Sequence, residues 1–176
     1  MTIRPLIPTL LASLLLAGCG SLGVNGPTKV EITLAPTQGS KVSGQVQLTE
    51  VDGGVLVDAN VSGLAPGGHG FHVHEKGDCS APDGTSAGGH FNPTGKAHGH
   101  PDKADHHLGD LPMLVADANG DAKLRTIVNG LTIVGKGDNK IVGRSLIVHA
   151  AADDFATQPT GNSGARLACG VISSAM

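Results

Sequence analysis

Apolar and polar residues alternate in short segments along most of the chain after residue 28. Residues 29–34, for example, read Lys-Val-Glu-Ile-Thr-Leu, so that every second side chain is apolar. A period of two is typical of a β-strand that turns one face to a core. Alternation of this kind, or a high content of β-branched residues, predicts strands at residues 29–34, 42–48, 55–61, 71–75, 111–116, 122–128, 141–150 and 166–172.

The connections between these strands are of two kinds. Residues 52–54 (Asp-Gly-Gly) and 117–121 (Asp-Ala-Asn-Gly-Asp) are turn sequences that join neighbouring strands as hairpins. Residues 76–107 and 151–165 show no hydrophobic period and are too long for ordinary connections, so we expect them to carry function. The pattern predicts an all-β fold: an eight-stranded antiparallel Greek-key flattened barrel, or immunoglobulin-like sandwich, with two long functional loops.

The composition agrees with short strands and turns. The 176 residues include 27 Gly and 10 Pro but no Trp, no Tyr and only three Phe, so the core must be built from aliphatic side chains. The formal net charge is -3, and there is no basic run or aromatic platform of the kind that binds nucleic acid. We therefore expect no nucleic-acid partner.

The first residues resemble the signal peptide of a bacterial lipoprotein. Arg4 precedes an apolar run, residues 6–17, that is too short to span a bilayer comfortably, and the run ends in Leu-Ala-Gly before Cys19. This predicts a signal peptide at 1–18, a lipid-modified flexible tether at 19–28 and one domain at 29–176. The alternative is an ordinary secretory signal with an incidental cysteine.

A lipid on Cys19 would anchor the chain to a membrane. We therefore expect a lipoprotein of the cell envelope that faces the periplasm. Gly20 rather than aspartate follows the cysteine, which by resemblance favours the outer membrane.

With Cys19 set aside, Cys79 and Cys169 remain. An even pair of cysteines in an exported chain predicts one disulfide, which would close a loop of about 90 residues. The alternative is two free buried thiols.

Histidines are concentrated in one part of the chain. Eight of the nine lie between residues 69 and 107, and the pair His72 and His74 occupies positions i and i+2 of a predicted strand. Residues two apart on a strand point to the same side, so both imidazoles can reach one ion. His149 ends another predicted strand. Imidazole suits copper and zinc, and a carboxylate among imidazoles favours zinc.

Five blocks of sequence then resemble the signature of the copper–zinc superoxide dismutases, in the order in which that family has them. The blocks are residues 70–74 (Gly-Phe-His-Val-His), 89–93 (Gly-His-Phe-Asn-Pro), 107–110 (His-Leu-Gly-Asp), 143–149 (Gly-Arg-Ser-Leu-Ile-Val-His) and 164–171 (Gly-Ala-Arg-Leu-Ala-Cys-Gly-Val). The resemblance extends from about residue 29 to the C-terminus.

The resemblance implies one copper and one zinc ion per chain. The implied copper ligands are His72, His74, His90 and His149. The implied zinc ligands are His90, His98, His107 and Asp110. His90 would bridge the two ions as an imidazolate, which is reasonable only between two cations.

Further roles follow from the same resemblance. Cys79 and Cys169 match the family's disulfide. Asp153 matches a carboxylate that links a copper-ligand histidine to a zinc-ligand histidine, the alternative being a solvated loop acid. His69 matches a structural histidine. His100 and His106 have no counterpart, so His100 for His98, or His106 for His107, is the alternative assignment of the zinc ligands.

The implied reaction is the dismutation of superoxide to oxygen and hydrogen peroxide, with copper alternating between two oxidation states. His90 would deliver a proton, and Arg166 would attract and orient the anion. The second loop differs from the better-known eukaryotic pattern, because residues 155–165 carry no charge. Lys96 and Lys103 could supply the missing positive potential, although both also fit ordinary surface lysines.

Other interpretations use the same fold. A non-catalytic periplasmic protein that binds or delivers copper and zinc is the main alternative. The presence of Arg166 and of a complete copper set argues against it. The sequence leaves the oligomeric state open, including a homodimer.

Overall fold

The computed structural model describes Met1 and residues 26–174. Within that part of the chain, the regular elements are nine strands and one short 3-10 helix, Thr85–Ala87. The strands are β1 (Lys29–Pro36), β2 (Ser43–Val51), β3 (Gly54–Ser62), β4 (Gly67–His69), β5 (Phe71–His74), β6 (Leu114–Ala116), β7 (Ala122–Asn129), β8 (Ser145–His149) and β9 (Arg166–Val171).

All strand pairs are antiparallel, and the strand order is β4-β6-β7-β3-β2-β1-β9-β8-β5. The two ends of this order, β4 and β5, are consecutive in the chain and are separated only by Gly70. One continuous segment therefore pairs with β6 on one side and with β8 on the other, and in this way the sheet closes into a nearly complete barrel. The predicted antiparallel barrel is confirmed.

The structure differs from the predicted strands in three places. β4 was not predicted, because Gly67 and Gly68 resemble a turn and only pairing with β6 makes them a strand. Of the predicted strand 111–116, only Leu114–Ala116 forms, since Pro112 lacks the N–H that a ladder needs. Of 141–150, only Ser145–His149 forms, because the chain turns at Gly143 with φ +87°.

The core lies inside the barrel and is almost entirely aliphatic. In β1 the buried residues are every second one, Val30, Ile32 and Leu34. A smaller apolar cluster forms outside the barrel, where Ala87 of the first long loop packs against Ile147 and Cys169. This outer cluster anchors the loop to β8 and β9.

The predicted disulfide is confirmed. Cys79 in the first long loop is bonded to Cys169 on β9, with their Cα atoms 5.8 Å apart. The bond ties the loop to the sheet next to the outer cluster. Within residues 26–174 the chain forms no helix with the length and hydropathy needed to cross a membrane.

Candidate metal centre

Side chains alternate along β5, so its core residues and its histidines lie on opposite faces of the strand. Phe71 and Val73 point into the barrel core, and His72 and His74 therefore point to the outer face. All four side chains are buried, because the first long loop covers that outer face. β5 pairs with β8, whose last residue is His149, next to a β-bulge between Val148 and His149. Bulges of this kind re-aim a side chain.

The first long loop is held on β5 by backbone hydrogen bonds. Val73 N–H donates to the carbonyl of Gly109 (2.9 Å), and Phe91 N–H donates to the carbonyl of Val73 (2.8 Å). As a result His90 lies opposite His74, and Asp110 lies opposite His72, as isolated bridges. An irregular loop thus gains strand-like register where it contributes side chains to the site.

Two groups of ligand atoms result, and within each group the atoms lie within 4.8 Å of one another. The first group consists of His72, His74, His90 and His149. The second group consists of His90, His98, His107 and Asp110. All seven residues are buried, and His90 belongs to both groups. The structure therefore brings together every residue that the sequence predicted as a metal ligand.

The second group centres on one carboxylate oxygen. Asp110 Oδ1 lies 2.9 Å from His90 Nδ1, 3.0 Å from His98 Nδ1 and 3.5 Å from His107 Nδ1. Burial alone would raise the pKa of Asp110, but the hydrogen bonds from His107, His90 and Gly99 N–H outweigh burial and lower it. Asp110 is therefore ionised near neutral pH, as a metal-binding carboxylate must be.

Two buried nitrogens test whether this site fits metal ions. His72 Nδ1 and His90 Nε2 are buried and have no hydrogen-bond partner among the described residues. Both belong to residues of the first group. Buried polar atoms are normally hydrogen-bonded, so two unpartnered imidazole nitrogens in one group of four point to an ion as their partner. The donor set, all imidazole nitrogen, suits copper or zinc.

Neighbouring acceptors fix which nitrogen of each ring is free. His74 Nδ1 donates to the carbonyl of Gly88 (2.9 Å), and His149 Nδ1 donates to the carbonyl of Gly164 (3.1 Å). Each ring then turns Nε2 to the centre of the first group, where the two Nε2 atoms lie 3.4 Å apart. Hydrogen bonds of this kind set tautomer and orientation in metal sites.

Asp153 joins the two groups. Its Oδ2 accepts from His72 Nε2 (2.6 Å), and its Oδ1 accepts from His98 Nε2 (2.9 Å). Burial would raise the pKa of Asp153, but the hydrogen bonds from His72 and His98 and from Phe155 N–H lower it. This geometry is that of a linking carboxylate and differs from that of a solvated loop acid, since Asp153 is only 4% exposed.

Three rings of the first group are held in the metal-binding form mainly by burial. Burial, assisted by nearby histidines and Arg166 and opposed by the hydrogen bonds to the Gly88 and Gly164 carbonyls, lowers the pKa of His74 to about 2 and that of His149 to about 3. Burial likewise lowers the pKa of His90 to about 4, although the hydrogen bond to Asp110 opposes this shift. All three rings are therefore neutral near pH 7, with lone pairs available for metal binding.

Arg166, at the start of β9, lies beside the first group. Its guanidinium donates to the carbonyls of Gly84 (2.7 Å) and Gly88 (2.6 Å), both in the first long loop. Burial lowers the pKa of Arg166, but the group stays charged at any physiological pH. The oxygen of Gly88 thus accepts from both Arg166 and His74.

The remaining histidines are outside both groups. His69 is buried with its ring nitrogens 2.8 Å from the carbonyls of Ala65 and His149, which agrees with a structural role. His100 lies against the ring of Phe155 with 4.5 Å between centroids, and His106 Nδ1 donates to the carbonyl of Lys103. Neither His100 nor His106 replaces His98 or His107 in the second group.

The two lysines proposed to attract the substrate are on the surface. Lys96 is exposed and donates to the carbonyl of Ala104 (2.6 Å), and Lys103 is exposed as well. Their part in steering stays a prediction. Cys19 and the predicted signal peptide and tether up to residue 25 lie outside the described residues.

Two residues near the site were not identified from the sequence. A side chain at Gly161 would collide with Asp153 and with His98 Nε2, so the chain needs glycine there to let the second loop approach. Gln158 hydrogen-bonds the backbone of His98. A glycine and an amide in a polar loop give no sequence signal, because their importance depends on which distant residue they meet.

A flattened antiparallel barrel with two adjacent groups of buried imidazole ligands on its outer face defines a two-metal β-barrel protein. Comparison with known families makes the class specific: the family described as Copper/zinc superoxide dismutase (SODC) matches residues 42–172. The chain belongs to this family. One copper and one zinc ion per chain is the family's pattern, and the two ligand groups match it.

Known relatives agree with this membership. The chain is 38% identical over 149 residues to "Superoxide dismutase [Cu-Zn] 2" of Aquifex aeolicus, covering 82% of this chain and 86% of the relative. It is 45% identical over 143 residues to "Extracellular superoxide dismutase [Cu-Zn]" of Onchocerca volvulus, covering 74% of this chain and 69% of the relative.

A solved structure has the same fold. The crystal structure of a "SOD-like protein" from Bacillus subtilis superposes with a TM-score of 0.73 at 37% identity, covering 81% of this chain and 97% of that chain.

Proposed function

We propose that this protein catalyses the dismutation of superoxide to oxygen and hydrogen peroxide at the first ligand group, supported by zinc at the second. The observation that carries the proposal is the first group itself: four buried imidazoles with a charged guanidinium beside them. The fold alone would not distinguish catalysis from metal storage.

His72, His74, His90 and His149 would hold copper, and His90, His98, His107 and Asp110 would hold zinc. The single carboxylate in the second group favours zinc there, and the all-imidazole first group suits copper. Copper held there would supply the one-electron redox chemistry that zinc lacks.

His90 lies where it can donate a proton to the product. Its Nδ1 faces Asp110 in the second group, and its unpartnered Nε2 faces the first group. A proton held at Nε2 is therefore next to the position where substrate reacts, while Nδ1 stays anchored. His90 thus acts as general acid for the peroxide product.

Arg166 would orient the anionic substrate. Two loop carbonyls fix two of its nitrogens, so the remaining guanidinium N–H groups point in a defined direction. A fixed positive donor beside the reacting centre stabilises the anion without reorganisation during the reaction. A metal-storage protein has no need of this group.

Replacement of Arg166 by glutamine tests this proposal. We expect the rate of superoxide loss to fall roughly 100-fold, because one fixed charged donor is lost, while copper and zinc content stay unchanged. The rate is measured by pulse radiolysis and the metals by atomic absorption. Arg125→Gln is the matched control, since Arg125 pairs with Asp58 on the outer surface of the barrel. Wild-type protein with full copper and no activity would identify a non-catalytic metal-binding or metal-delivery protein instead.

We also propose that the protein is a lipoprotein of the cell envelope, facing the periplasm and protecting that compartment from superoxide. The support is the sequence around Cys19 together with the disulfide, which is typical of proteins in an oxidising compartment. Incorporation of labelled palmitate into the expressed protein should disappear in Cys19→Ser and remain in Cys169→Ser. Gly20→Asp should move the protein from the outer to the inner membrane fraction. An unlabelled wild-type protein would contradict the anchor.

A further inference from the structure

The side-chain amide of Gln158 contacts the backbone of His98 at two points. Its Oε1 accepts from His98 N–H (2.8 Å), and its Nε2 donates to the His98 carbonyl (2.9 Å). The second proton of Nε2 is directed to the carbonyl of Ala156 (3.2 Å). Since His98 N–H can only donate, the contacts allow one orientation of the amide, and all of its donors are used.

These contacts satisfy backbone groups that have no other partner. His98 is 3% exposed, and no other residue of the described chain hydrogen-bonds its N–H or carbonyl. Buried backbone groups left without a partner are strongly disfavoured. The position of this stretch of the first long loop therefore depends on one side chain of the second loop.

The second loop also contacts the side chain of His98. Asp153, five positions before Gln158, accepts from His98 Nε2 through Oδ1. His98 is thus held by its backbone and by its ring, which leaves Nδ1 directed at Asp110 Oδ1 (3.0 Å). Asp154 stiffens the segment between the two contacts, since its Oδ1 accepts from the N–H groups of Ala156 and Thr157.

We infer that Gln158 is a positioning residue for the zinc site: it fixes His98, and through Asp153 it also restrains His72 in the copper group. The inference rests on the proposed assignment of zinc to the second group. Gln158 touches neither substrate nor metal, so its effect appears in how firmly the site retains zinc. It also lets the uncharged part of the second loop, residues 155–165, dock on the first loop through neutral hydrogen bonds.

Gln158→Met tests the inference, because methionine preserves length and bulk but removes all three hydrogen bonds. We expect zinc to leave the fully metallated variant about tenfold faster than the wild type, as for other residues that orient a metal ligand. Release is followed with a chromophoric zinc chelator. In the metal-free protein, we also expect faster amide hydrogen exchange at His98 only in this variant.

Gln45→Met is the matched control, since Gln45 is also a hydrogen-bonded glutamine but pairs with Thr33 on the outer surface of β1 and β2. Equal zinc release from Gln158→Met and the wild type would overturn the inference. Equal acceleration in both glutamine variants would do so as well, because it would indicate general loosening. A wild type that retains zinc but lacks dismutase activity would contradict the proposed function and leave this result unaffected.

Discussion

Replacing His149 with alanine should remove copper from the protein and bring superoxide loss down to the uncatalysed rate. The His149 ring is buried at the end of β8, and its Nε2 lies 3.4 Å from that of His74. Without the His149 ring, only three of the four imidazoles of the first group remain. A copper ion would therefore lose one of its four nitrogen donors. Zinc content should stay at one ion per chain, because His149 is not part of the second group.

His106→Ala is the appropriate control for this variant. It removes a histidine from the same protein, but one that belongs to neither ligand group. Copper content by atomic absorption, the copper electron paramagnetic resonance spectrum and the dismutation rate should all match the wild type. If His149→Ala retained copper and activity while His106→Ala lost them, the assignment of the first group would be wrong.

Loss of the disulfide should produce the second large effect, this time on stability. The bond between Cys79 and Cys169 closes a loop across a sequence separation of 90 residues. In the chain-entropy description, a disulfide that closes a loop of that size stabilises the folded state by about 4–5 kcal/mol, because it reduces the conformational entropy of the unfolded chain. We expect the free energy of unfolding of the Cys79→Ser, Cys169→Ser protein to be lower than that of the wild type by this amount.

Urea unfolding of the metal-free protein measures this loss without a contribution from bound ions. The wild type under reducing conditions is the control, because it keeps both sulfur atoms and lacks only the bond. Similar losses of stability in the two samples would assign the effect to the covalent bond between Cys79 and Cys169. An unchanged urea midpoint in both would show that the outer cluster of Ala87, Ile147 and Cys169 holds the loop by itself.

The strands and the first pair of ligands could be predicted from the sequence because they obey local rules. A period of two fixes which residues of β1 face the core, and the same period puts His72 and His74 on one side of β5. Strand ends were harder to predict. The turn at Gly143 and the break at Pro112 depend on single residues inside runs that are otherwise strand-like.

The choice among neighbouring histidines needed the folded structure. His98 and His100 are two residues apart in an irregular loop, so no period separates them. Only the closeness of His98 Nδ1 to Asp110 Oδ1 does so. Gln158 is an extreme case, since its partner lies 60 positions earlier and nothing near it in the sequence indicates a role. The five sequence blocks contain six of the seven predicted metal ligands, and the seventh, His98, was assigned by its spacing from His90. They carried no information about Gln158.

The carbonyl oxygen of Gly88, which accepts from two side chains, constrains how this protein can evolve. One carbonyl orients both the ring of His74 and the guanidinium of Arg166. Under the proposed function, any substitution that shifts this peptide would displace a copper ligand and the anion-orienting guanidinium together, so we expect mutations there to be strongly epistatic. Directed evolution toward a different small anion should therefore leave this peptide untouched and find its beneficial changes in the uncharged loop 155–165.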